Sequence, residues 1–288
     1  TSSLGPFNFK WAAAFARLYL GRFTDLILAR DVRSVQEIEQ LGIRTPVVQV
    51  PDTAFLLPSR TSPESERCAE IRRQRPLIGL SVSYQVRNRA PASVDYVGIM
   101  ARFTQHLIDR LGAHVLLIPN ERAMGRDDDR QVAEAVSEQV DRARCEIIDT
   151  DELLAPELKG IIGECEAVVA ARYHTIVASL SLGIPTLAVG WHHKYAGVFE
   201  LFHQENRVHD VAGLTFDDLV RQFDQLWDQR QSIRRTLLNA LPGVQDGVLE
   251  GARSVRRYVL GETPGEQPAD DLVAAGRGDS GGDGYIRS

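Results

Sequence analysis

The feature that most constrains this chain is the regular alternation of short β-rich runs with helical stretches between residues 77 and 190. Leu77–Val82, His114–Ile118, Glu146–Ile148, Ala167–Ala170 and Thr186–Val189 read as strands. Between them, Val94–Leu111, Asp128–Arg142, Pro156–Cys165 and His174–Leu182 read as helices, the last stopped by Gly183. Short apolar strands joined through helices are the pattern of a parallel sheet covered on both faces. An α/β fold is therefore predicted.

The same alternation opens the chain in a shorter form. Phe9–Gly21 is helical and Leu26–Ala29 reads as a strand ending at Arg30 and Asp31. A helix follows Ser34 and runs to Leu41, where Gly42 supplies the C-cap. Pro46–Val50 is a second strand, stopped by Pro51 and Asp52. Two strands are too few for a complete sheet, so the first 60 residues are expected to form a unit apart from residues 61–260. The polar, Arg- and Ser-rich stretch 59–76 connects the two. Residues 216–241 and 247–260 are amphipathic and helical. Residues 261–288, dominated by Gly, Asp, Pro and Ser, are predicted to be a disordered tail.

Charge and cysteine usage exclude several classes of function. A net charge of −6 argues against broad nucleic-acid binding, which needs a basic face. Cys68, Cys145 and Cys165 are scattered without a CxxC pair, which favours a reducing, cytoplasmic setting over a disulfide or zinc framework. No apolar run approaches the roughly 20 residues of a membrane span. The adjacent His192 and His193 do not converge on one ion from a regular element, so no metal site is expected. The chain begins Thr1-Ser2-Ser3 without an initiator Met, as expected of a fragment or a processed form.

In open α/β sheets, ligands sit beyond the carboxyl ends of the strands, where helix N-termini favour anions. The residues just after the strands include several cations, so an anionic ligand is expected. Arg172-Tyr173-His174 leaves an apolar strand and opens a helix of small residues. Arg172 can grip a carboxylate or phosphate with its planar fork, or pair with a neighbouring carboxylate. His174 can donate to an oxyanion and move a proton, or only cap the helix. Lys194 is a phosphate contact or a solvated lysine. Arg30 and Asp31 face a cleft or form an internal ion pair. Asp52 shapes an Asx turn, and Asn120-Glu121-Arg122 reads as a solvated loop.

Several segments together resemble the polysaccharide pyruvyl transferases. These are Ala29-Arg30-Asp31 with Ser34 and Gly42, Pro51-Asp52-Thr53-Ala54-Phe55, and Arg172-Tyr173-His174 followed by Ala178, Leu180, Gly183-Ile184-Pro185, Trp191 and Lys194. Gly5-Pro6-Phe7 resembles the segment just upstream. The resemblance covers roughly residues 5–205. It implies a GT-B-like architecture: here a partial N-terminal Rossmann-like lobe followed by a complete C-terminal one. The family's first lobe begins further upstream, with a Gly-rich turn that does not precede Thr1. The resemblance also implies phosphoenolpyruvate as donor and a sugar hydroxyl pair as acceptor, with a pyruvate ketal as product and no cofactor. It places Arg30, Arg172, Tyr173, His174 and Lys194 in the substrate site, with His174 and Arg172 catalytic. Peripheral contact with the inner membrane face would suit a lipid-linked acceptor. Two other readings compete: a GT-B glycosyltransferase using a nucleotide sugar, for which Glu200 is the candidate ribose contact, and a non-catalytic anion- or partner-binding module.

Overall fold

The computed structural model describes residues 3–5, 7–121, 128–149, 152–190 and 192–261, leaving aside the side chains of 192–194. The chain opens with helix α1 (Lys10–Arg22), strand β1 (Ile27–Ala29), helix α2 (Val32–Gln40) and strand β2 (Val47–Gln49). β1 and β2 pair in parallel as a sheet of their own. Asp31 caps α2 by accepting from the Ser34 amide, and Gly42 closes that helix at φ +63°, a conformation favourable only without a Cβ. Ile27, Ala29 and Ile38 form a small separate core with Leu20 and Val47 packed against it. The opposite face of α1 is open, with Trp11, Phe15, Leu18 and Tyr19 exposed.

A 3-10 turn at Thr53–Leu56 and helix α3 (Pro63–Gln74) lead into the larger unit. It contains β3 (Leu77–Ser81), α4 (Tyr84–Arg89), α5 (Tyr96–Leu111), β4 (His114–Leu117), α6 (Asp129–Ser137) and β5 (Cys145–Ile147). There follow α7 (Ala155–Gly163), β6 (Ala167–Ala170), α8 (Tyr173–Ser181), β7 (Thr186–Gly190), α9 (His192–Glu200) and β8 (Val208–Asp210). All six strands are parallel, in the order β5-β4-β3-β6-β7-β8. Every residue of β3, β6 and β7 is buried, as the two covered faces require. The order is that of a doubly wound sheet, and its direction of winding reverses between β3 and β6. In open α/β sheets such a switch point, beyond the carboxyl ends of the strands, is where ligands bind.

Helices α10 (Phe216–Asp228) and α11 (Arg230–Val259) finish the described chain. The helical break falls at Gln229 and not between Leu241 and Gly247, where it was expected. Pro242 lies inside α11, but Leu237, Val244 and Val248 are buried on either side of it and keep the helix on one face. That continuity carries α11 back to the first unit, where Gly251 packs on Val50 and Gly247 on Pro51. Three elements were not anticipated: α4, α9 and β8. α6 ends at Ser137, short of the expected Arg142. Asp141 accepts from the Ala143 amide there, a local turn that competes with the helix. The expected disordered tail lies outside the described residues from 262 onward.

Candidate active site at the strand ends

Three loops meet at the switch point. Tyr84 follows β3, Asn120 and Glu121 follow β4, and Arg172-Tyr173-His174 follows β6. Their common centre is Asp129, at the first turn of α6 and fully buried. Its Oδ1 accepts from the Tyr84 amide at 2.8 Å, and its Oδ2 from the Glu121 amide at 3.0 Å. Arg172 closes the cluster with two parallel bonds: Nε donates to Oδ2 at 2.7 Å and Nη2 to Oδ1. The third nitrogen, Nη1, pairs with Glu121, whose side chain is half exposed. Burial works against the Arg172 charge. The hydrogen bond and charge of Asp129, helped by Glu121, more than offset it, and the guanidinium pKa is raised.

A second polar chain ties the same loops from below. Asn120 Nδ2 donates to Thr175 Oγ1, which donates to Ser81 Oγ at 3.2 Å. Thr175 and Ser81 are buried, so each hydroxyl needs such a partner. Tyr195 of α9 donates to the Ala171 carbonyl at 2.8 Å, and burial raises its phenol to about 12.

Arg30 reaches this region from the first unit. Its Nη1 pairs with Asp52 at 3.0 Å and its Nε donates to Ser3 Oγ at 2.7 Å. Its guanidinium carbon lies 4.0 Å from the centre of the Tyr173 ring. Arg30 thus stacks on Tyr173, the residue that follows Arg172 in sequence. The Tyr173 phenol is shifted upward, chiefly by burial. His174 is exposed at the start of α8, its ring edge-on to Tyr173 at 5.8 Å.

The structure thus brings Arg30, Arg172, Tyr173 and His174 together. Lys194 lies in the first turn of α9, and its side chain is outside the described residues. Arg122 also lies outside them. Asp52 does shape a turn, accepting from the Ala54 amide at 2.9 Å, but it also pairs with Arg30. Glu121 is not a purely solvated loop residue, since it binds Arg172. Asp129 was not singled out in the sequence at all. It follows Asp127 and Asp128, and nothing local distinguishes the member of that run that turns inward. Beside Tyr173, α2 and α9 enclose a groove of about 330 Å³ lined by Asp31, Gln36, Gln40 and Glu200 among others. Among the described residues, no group of three or more His, Cys, Asp and Glu side chains could hold a metal ion.

A doubly wound sheet with cations at its switch point, joined to a second parallel sheet by a returning helix, defines a GT-B-like fold. The S. aureus protein MnaA, solved with UDP, superposes with a TM-score of 0.62 at 14% identity, over 86% of this chain and 64% of that one. Sucrose-phosphate synthase from Thermosynechococcus elongatus superposes with a TM-score of 0.57 at 11% identity, over 91% and 65%. The sequence matches the polysaccharide pyruvyl transferase family over residues 2–193, and the chain belongs to that family. It is 24% identical over 251 residues to the amylovoran biosynthesis protein AmsJ of Erwinia amylovora. That match spans 83% of this chain and 60% of the relative. No helix among the described residues is long and apolar enough to cross a membrane.

Proposed function

We propose that the chain transfers a pyruvyl group from phosphoenolpyruvate to two hydroxyls of a sugar, forming a cyclic ketal on a polysaccharide or its precursor. The observation that carries this reading is the placement of Arg30, from the first unit, over Tyr173, the residue next to Arg172 at the switch point, in a chain of this family. The donor carries a phosphate and a carboxylate, and two arginines from different units suit two anionic groups. In the reaction, the methylene carbon gains a proton and one hydroxyl adds to the neighbouring carbon. Phosphate then leaves, and the second hydroxyl closes the ketal. Of the two hydroxyl protons, one ends on the new methyl group and the other on phosphate. His174, exposed beside Tyr173, is the group we assign to proton transfer. The arginines offset the charge that builds on the departing phosphate, with Lys194 as a further cation.

The same reading divides the chain at residue 60 into the end of an N-terminal Rossmann-like lobe and a C-terminal Rossmann-like lobe. It places the enzyme in the cytoplasm, where phosphoenolpyruvate is available, at the inner membrane face if the acceptor is lipid-linked. The separate small core around Ile27 and Ile38 supports that division. The groove lined by Glu200 favours a second reading, a nucleotide-sugar glycosyltransferase.

Titration calorimetry separates the two. Phosphoenolpyruvate is expected to bind, and UDP-glucose is not. UDP-glucose binding without phosphoenolpyruvate binding would overturn the pyruvyl transferase reading. His174→Gln is expected to slow acceptor-dependent phosphate release by roughly 10²-fold. Near-normal release from the folded variant removes His174 from proton transfer.

A further inference from the structure

The three guanidinium nitrogens of Arg172 are not equivalent. Nε and Nη2 are committed to Asp129, a carboxylate with no solvent exposure that also accepts backbone amides from two loops. An incoming anion that displaced Asp129 would leave a buried carboxylate without its cation and two loops without their anchor, a costly exchange. Nη1 is committed to Glu121, whose side chain is 50% exposed. A half-exposed pair of this kind contributes little, because water and salt screen it and the freed carboxylate is readily solvated.

We propose that Arg172 is a one-armed anion contact. Asp129 is the positioning residue that holds the guanidinium, and Glu121 occupies its outer nitrogen until an anionic ligand group displaces it. This rests on the reading of the switch point as an anion-donor site. Glu121 is then an internal competitor, and its removal frees the arm. Asp129 is the opposite case. Its amide analogue would aim an NH₂ group at donors that need an acceptor, and would release the fork from its fixed orientation.

The two residues therefore have effects of opposite sign, which a merely structural role for both would not produce. The probes are phosphoenolpyruvate and inorganic phosphate, titrated calorimetrically into wild type, Glu121→Gln, Asp129→Asn and Asp129→Glu. Circular dichroism verifies the fold of each. Glu121→Gln is expected to tighten anion binding by roughly 2- to 5-fold, less at high salt, as removal of a screened competitor implies. Asp129→Asn is expected to weaken it by about tenfold or more, and Asp129→Glu to restore part of the loss. Glu121 lies at the surface, so its variant keeps the test decisive should Asp129→Asn fail to fold.

If wild type binds phosphoenolpyruvate and Glu121→Gln leaves the affinity unchanged or weaker, the inference falls and the donor assignment stands. If phosphate binds with the expected opposite shifts but phosphoenolpyruvate does not bind, the anion contact stands and the donor assignment falls. If no form binds either anion, both fall.

Discussion

The contact between Arg30 and Tyr173 joins the two units, and a double-mutant cycle on it measures how far that junction contributes to stability. The guanidinium carbon lies 4.0 Å from the ring centre. The Arg30 side chain is 19% exposed and Tyr173 8%. Cation–π pairs contribute about 0.5–1 kcal/mol at exposed sites and about 2 when desolvated, so this largely buried pair should contribute about 1–2 kcal/mol. Arg30→Met alone should cost more, about 3 kcal/mol, because it also strips the cation from Asp52, whose side chain is only 9% exposed. Tyr173→Leu keeps an apolar group in place and should cost about 2 kcal/mol, the pair energy plus imperfect filling. The double variant should then fall short of the sum by about 1–2 kcal/mol. Urea unfolding followed by circular dichroism reads these differences, with equal m-values as the check that one transition is being compared. Additivity within about 0.3–0.5 kcal/mol would show that the stacking contributes nothing and refute the reasoning.

Two further perturbations test the frame around the site. A Cβ built on Gly251 would lie 2.6 Å from Val50 Cγ1, and Val50 is buried, so Gly251→Ala sets a clash of about 1–3 kcal/mol against a helix-propensity gain of about 1. The urea midpoint should therefore fall. A rise would mean that Val50 yields freely and that α11 is not seated closely on the first unit. At His114, burial lowers the pKa and nearby Arg75, Arg67 and Arg144 add to the effect, while Glu146 opposes it. The folded state thus binds this proton less readily than the unfolded chain does. Its contribution is present above the ordinary histidine pKa of about 6.5 and is lost as pH falls below that value toward the depressed one. His114→Gln should flatten stability against pH in that window, and an unchanged slope would show that other groups set it.

The central strands were legible because their environment is uniform. β3, β6 and β7 are covered on both faces, and an unbroken apolar run is the direct imprint of that burial. What escaped detection was weak or masked. β8 has three residues and too little pattern to register. α9 opens on His192-His193-Lys194, a polar start that draws the eye from Tyr195, Phe199 and Phe202 behind it. Those three are buried at helical spacing and would have exposed the helix. Pro242 misled for the opposite reason. It is a strong local signal for a break, overridden by apolar anchors that the tertiary fold places on both sides of it.

The site divides along the same line. Strand-to-helix junctions locate Arg30, Arg172 and His174, because ligand positions in an open sheet follow from chain direction alone. Their partners do not follow, since Asp129 is 43 residues from Arg172 and Asp52 is 22 from Arg30. The Arg172–Asp129 pairing exists only once the sheet order sets β3 between β4 and β6, bringing the loops after all three to one point, and the Arg30–Asp52 pairing only once β1 and β2 lie side by side. Chemistry then depends on what internal pairing leaves over. Arg30 gives Nε to Ser3 and one terminal nitrogen to Asp52, while Arg172 gives two nitrogens to Asp129 and a third to an exposed carboxylate. Each arginine is thereby held by a buried carboxylate, Asp52 or Asp129, and on the proposed reading one terminal nitrogen of each meets the donor. On that reading, two cations fixed in this way would recognise the separation and direction of the donor's two anionic groups as well as their charge, which two free arginines on flexible stems would not do.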